Sequence, residues 1–200
     1  MSSHSFGKDP EGATPLTDDD FEGLRPTWIS NRDDLNLAEA QNIADATSKY
    51  RKKKLKPDEI LDDLFVRTLH KAMYSDVWSW AGTYRLRDTS IGIAPERISV
   101  EVLNLMEDAR YWLDSDESTS LDQAVCEIHH KLVRLHPFRN GNGRMTRLFA
   151  DLLLISKGLH PFSWGSGDLD ATTSTRKVYI KALRVADGGD LSELYDFVRS

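Results

Sequence analysis

The chain is poor in cysteine, with one thiol, Cys126, in 200 residues. A single cysteine excludes an intrachain disulfide framework, and Cys126 falls among apolar residues at helical spacing, where a thiol packs as a small hydrophobe. Long apolar runs are missing too, so no membrane span is expected. The first dozen residues, rich in Ser, Gly, His and Pro, lack the apolar stretch of a secretory leader and read as a loose tail. These absences place the expected location in the cytoplasm. Positive charge is not in excess either: 26 Lys and Arg stand against 32 Asp and Glu, for a net charge of −6. Broad affinity for nucleic acid or anionic lipid is therefore not expected. The local basic run Arg51-Lys52-Lys53-Lys54-Leu55-Lys56 suits the end of a helix in solvent, where cations favour the negative pole.

An apolar content of 40% suffices for one domain with a sizeable core. Its spacing is helical almost throughout. One helix is predicted from Asp33 to about Tyr50, behind Ser30 or Asn31 as a cap. Pro57, well placed at a first helical position, opens a second that carries Ile60, Leu61, Leu64, Phe65 and Leu69. A third runs from Pro95 to about Leu113, with Ile98, Val102, Leu105, Met106 and Trp112 facing inward. Between the second and third, Thr89-Ser90-Ile91-Gly92-Ile93 alternates and contains a glycine, the pattern of a small β-hairpin.

The most informative segment is His136-Pro137-Phe138-Arg139-Asn140-Gly141-Asn142-Gly143-Arg144-Met145-Thr146-Arg147. Ala124, Val125, Ile128, Leu132 and Leu135 mark an amphipathic helix before it, and Pro137 ends that helix, leaving the His136 imidazole at the exit facing a cleft. Asn140-Gly141 and Asn142-Gly143 make a tight turn whose amides can converge. A largely buried helix then starts at Arg144 and closes near Lys157, with Gly158 as its C-terminal glycine. No acid occupies its first turn, so its amides and positive pole form an anion site. Arg144 and Arg147, three apart, project from one face beside it and can clamp phosphate oxygens. His160-Pro161-Phe162 repeats the first three letters without the glycines or arginines and reads as a packed loop.

This segment resembles the signature HxFx(D/E)GNGRxxR of the Fic (Fido) family, whose usual activity is transfer of AMP from ATP to a protein hydroxyl. The similarity extends from about Asp58 onward, through Trp80-Ala81-Gly82-Thr83-Tyr84-Arg85, Tyr179 to Leu183 and Gly188-Gly189-Asp190. The opening, with Thr14-Pro15-Leu16 and Leu24 to Ile43, is similar to the small Fic subgroup called mobile mystery protein B. The resemblance implies an all-α fold, a Fic/Fido helical bundle with a small β-hairpin flap. It divides the chain into an N-terminal extension, 1–57, and a catalytic domain, 58–200.

Residue by residue, the resemblance makes His136 the general base, a role its near-neutral ordinary pKa suits. Gly141, Asn142 and Gly143 would form the anion hole for the α- and β-phosphates, Arg144 would support the diphosphate, and Arg147 would hold the γ-phosphate. Phe138 is read as a core anchor for the loop. Asn140 stands where the family usually has an acidic magnesium ligand; an amide oxygen can bind Mg²⁺ but brings no charge. Thr89 to Ile93 would dock an extended target segment by strand addition. Glu22-Gly23 matches the end of the family's inhibitory pattern (S/T)xxxE(G/N), with Asp18 in the hydroxyl position, and is expected to face Arg147 and block ATP.

The implied function is adenylyl transfer from ATP, with Mg²⁺, to a Ser, Thr or Tyr hydroxyl of a target protein, restrained by Glu22. The alternatives at this stage are a Fic enzyme that removes AMP or moves another phosphate-bearing group, and a catalytically weak binding module paired with a small DNA-binding protein. Direct nucleic-acid or membrane binding is not expected.

Overall fold

The computed structural model describes residues 14–114, 120–169 and 173–200; the dozen residues read as a loose tail lie outside these. Helices α1 (Asp18–Phe21), α2 (Arg32–Arg51), α3 (Pro57–Ile60) and α4 (Asp63–Tyr74) form the first half. Helices α5 (Ile98–Asp114), α6 (Leu121–Leu135), α7 (Asn142–Ser156), α8 (Ser174–Asp187) and α9 (Ser192–Arg199) follow. Among the described residues the only β-pairing is an isolated bridge between Leu24 and Trp78. No described helix is long and apolar enough to cross a membrane.

The caps explain most boundaries. Asn31 accepts a hydrogen bond from the Asp34 amide at 3.0 Å and starts α2. Ser120 and Gln123 cap α6 reciprocally. The helix expected after Pro57 is instead two pieces. The Asp62 carboxylate accepts from the amides of Leu64 (2.7 Å) and Phe65 (3.3 Å), so it caps a new helix in the middle of the apolar pattern. The break turns Leu64 outward, 69% exposed. Pro95 to Arg97 is a short 3₁₀ turn leading into α5, and Trp112 is only half-buried.

Helix α7 runs through the centre of the bundle, packed on α6 and touching α2, α3 and α4. Met145, Phe149, Ala150, Leu153 and Leu154 are wholly buried in it. Its C-terminal part is tied down by Asp151, which bonds Arg51 (2.9 Å), the Trp164 indole (3.0 Å) and the Phe162 amide (3.3 Å). Phe162 is thus the packed loop residue expected of the second His-Pro-Phe. Cys126 is fully buried, and burial, its largest perturbation, pushes its thiol pKa up to about 12. That thiol is a core group with no nucleophilic character.

Candidate functional site

The site lies where α6 ends and α7 begins. His136 caps α6 in the left-handed conformation (φ 51°, ψ 58°), which turns the chain sharply before Pro137. Phe138 is fully buried and stacks on His70, with ring centroids 3.8 Å apart. Asn142 closes the loop with both ends of its side chain: Oδ1 accepts from the Phe138 amide and Nδ2 donates to the Phe138 carbonyl, each at 2.8 Å. Gly141 must be glycine, because its φ is 77° and a Cβ would come within 2.4 Å of the Tyr74 ring. It is the N-cap of α7, with no acid in the first turn after it.

The two signature arginines flank this helix start. Arg147 leans back over it, its Nη1 3.7 Å from where a Cβ on Gly143 would be, with its guanidinium 5.9 Å from the centroid of the Tyr179 ring. Arg144 reaches the other way, to α2, where its Nη2 meets Glu39 Oε2 at 2.8 Å. Glu39 is buried and also accepts from the Trp78 indole at 2.7 Å.

His136 is not open to a cleft, as the sequence suggested. It is buried, and its Nε2 lies 2.7 Å from the Thr14 hydroxyl. Burial chiefly, then the Arg85 charge, lower its pKa to about 4, against the opposing effect of the Val133 carbonyl. The imidazole is therefore neutral at pH 7. Arg85, itself buried, donates from Nε to the His136 carbonyl at 2.7 Å and fixes the left-handed turn.

The predicted hairpin at Thr89, Ser90, Ile91, Gly92 and Ile93 is an irregular loop without strand pairing. One side chain does what a ladder would do: the Arg85 guanidinium bonds the Arg87 carbonyl at 2.8 Å on one arm and the Ile93 carbonyl on the other. Gly92 (φ 106°) packs directly on the base, since a Cβ there would lie 2.7 Å from the His136 Cβ.

Glu22 does not face Arg147. It is exposed on the turn after α1 and makes no ion pair among the described residues. The inward-facing acid is Asp20, two positions earlier and therefore about 200° away around a helix. Asp20 is fully buried, caps α1 with Thr17, and pairs with Arg87 and with Arg139 (3.4 Å).

The residues present do not build a magnesium pocket. Asn140 Oδ1 is turned onto the Gly141 amide at 2.5 Å, and its Nδ2 points to the Thr14 carbonyl at 3.4 Å. No cluster of three metal-ligating side chains occurs among the described residues. With its oxygen spent on the turn, Asn140, which carries no charge, is a poor match for a cation that needs charged oxygen ligands.

A family model described as Fic/DOC family matches residues 60–154. Those residues carry a Fic/DOC domain. The Fic segment is 29% identical over 124 residues to protein adenylyltransferase fic-1 of Caenorhabditis briggsae, covering 59% of this chain and 22% of that protein. It is 33% identical over 96 residues to protein adenylyltransferase Fic of Drosophila grimshawi, covering 47% and 18%. This chain thus spans about a fifth of the curated relatives it matches. In fold it is similar to BepC, a VirB-translocated effector of Bartonella tribocorum solved with bound AMPPNP, at TM-score 0.66 and 18% identity over 88% of this chain and 90% of that one.

Thr14, Asp20, Glu39, His70 and Arg85 complete the site, and their roles at it were missed by sequence reasoning. Their partners lie far along the chain, 122 positions for Thr14 and His136 and 70 for His70 and Asn140. Local spacing carries no signal over such separations.

Proposed function

We propose that this protein is an adenylyltransferase that moves AMP from ATP to a hydroxyl of a protein side chain. The observation that carries the reading is His136: a neutral imidazole holding a hydroxyl at 2.7 Å, one turn away from an acid-free helix N-terminus flanked by two arginines. His136 takes the hydroxyl proton as the oxygen attacks the α-phosphorus. The amides at the start of α7 and the Arg144 and Arg147 guanidiniums receive the phosphates and the charge that grows on the departing pyrophosphate. The loop from Thr89 to Ile93, packed on the base through Gly92, borders the target's approach.

The N-terminal segment restrains this site. Thr14 occupies the base, and Glu39 holds Arg144 away from a phosphate. Any Mg²⁺ that came with the nucleotide would be held by its phosphates and water, because the Asn140 oxygen is engaged by the Gly141 amide. The test is ATP labelled on the α-phosphate, with label on protein and pyrophosphate release read together. His136→Ala should lower both by about 10²–10⁴-fold. Label transfer that survives loss of His136 would sink the reading.

A further inference from the structure

The segment from Thr14 to Asp20 lies across the site as a docked peptide. Thr14 is buried, with its hydroxyl on His136 Nε2 at 2.7 Å and its carbonyl receiving the Asn140 amide at 3.4 Å. One residue therefore touches both the base and the turn that leads into α7. Pro15 follows, which biases Thr14 toward extended backbone. Downstream, Leu16 packs against the core, Thr17 and Asp20 bond Arg87, Asp20 pairs with Arg139, and the Trp80 indole donates to the Asp20 carbonyl at 3.1 Å. These contacts fix the register of the segment. The hydroxyl at the base is thus held by the fold and is not a passing contact of a free chain.

We propose that Thr14 is a self-modification site, adenylylated in cis by the chain's own His136. The inference rests on the transferase reading above and names the first hydroxyl that such a site would meet. In the tautomer with its proton on Nδ1, His136 accepts from the Thr14 hydroxyl through Nε2. The Thr14 oxygen forms a bond to the α-phosphorus of ATP, and the bond from that phosphorus to the bridging oxygen of the β-phosphate breaks. Pyrophosphate leaves with the electron pair. The proton passes to Nε2 and then to solvent, and the products are a Thr14 phosphodiester of AMP and pyrophosphate. Burial, with the Arg85 charge, keeps the ring neutral, so its Nε2 lone pair is present at pH 7 although the ring is a weaker base than a free imidazole.

The experiment incubates the full chain with ATP and Mg²⁺, follows pyrophosphate release, and maps the AMP adduct by peptide mass spectrometry. Wild type is compared with Thr14→Val, which keeps the shape and removes the hydroxyl, and Thr14→Ser, which keeps the hydroxyl. The expected result is one AMP on residue 14 in wild type and in Thr14→Ser, none there in Thr14→Val, and a rate per chain that does not change on dilution. AMP on other residues, with residue 14 unmodified, overturns the Thr14 assignment and leaves the transferase reading standing. A rate per chain that falls in proportion to dilution overturns modification in cis. No pyrophosphate and no adduct in any of the three proteins overturns both. Thermal unfolding of the two variants checks that the fold is retained.

Discussion

His70 lies against Phe138 with its ring plane 15° from parallel, and both of its nitrogens are committed. Nδ1 accepts from the Gly82 amide and Nε2 donates to the Asn140 carbonyl, each at 3.0 Å. An acceptor role at Nδ1 fixes the tautomer, and burial holds the ring neutral by lowering its pKa to about 3. One side chain thus ties the signature loop to the segment before the Gly92 loop.

Replacing it should be costly. His70→Ala removes a stack and two buried hydrogen bonds, so unfolding free energy should fall by about 2–4 kcal/mol. The measurement is the denaturant midpoint at constant slope. An unchanged midpoint would mean that the loop is held without His70.

Charge at Glu39 should control nucleotide affinity. Glu39→Gln keeps an oxygen for the Trp78 indole but removes the carboxylate charge that holds Arg144, so phosphate competes better for the arginine. Calorimetry should show ATP binding tightened by about tenfold, equivalent to roughly 1.4 kcal/mol. Glu22→Gly should leave ATP binding unchanged, because Glu22 is exposed and distant in role from both arginines. Tightening by Glu22→Gly and not by Glu39→Gln would reverse this assignment.

Acid should weaken the fold before it protonates the base. His70, His129 and His136 have pKa values lowered by burial to about 3, 3 and 4. An unfolded chain takes up protons at these groups near pH 6.5, whereas the native chain does not until much lower pH. Stability from their neutral forms is therefore complete above about pH 6.5 and declines as pH falls toward 4 and then 3. Melting temperature should drop steadily below pH 6.5. Transfer by protein that remains folded should show no acid limb between pH 8 and about 5, where an unshifted histidine would show one near 6.5.

Gly92→Ala should damage the base and the loop together. The new Cβ would lie 2.6 Å from an Arg85 guanidinium nitrogen and 2.7 Å from the His136 Cβ, at a backbone angle that alanine rarely adopts. The cost should be about 1–3 kcal/mol in stability. Activity should fall beyond what the lost folded fraction explains, and full activity in the folded fraction would separate the loop from the base.

The helices around the signature were legible because each of their signals is local. Pro137, the glycines, the acid-free first turn and Gly158 all act within a few residues. The split of the second helix was hidden by its apolar pattern, since Asp62 acts by capping and not by periodicity. The hairpin was misread for a different reason. Alternation predicts strand pairing, but Arg85 satisfies carbonyls on both arms and makes a ladder unnecessary. Which acid near the end of α1 points inward depends on the face of a single helical turn that meets the protein, and the match of Glu22-Gly23 to a pattern carries no such information.

The clip formed by Asn142 and Phe138 has one more consequence. Because Asn142 closes the turn with its own side chain, the shape of the turn is set by contacts within the chain. Little conformational entropy is left to lose there on binding, so the arrival of ATP should be limited by the occupancy of its seat and not by the shaping of it.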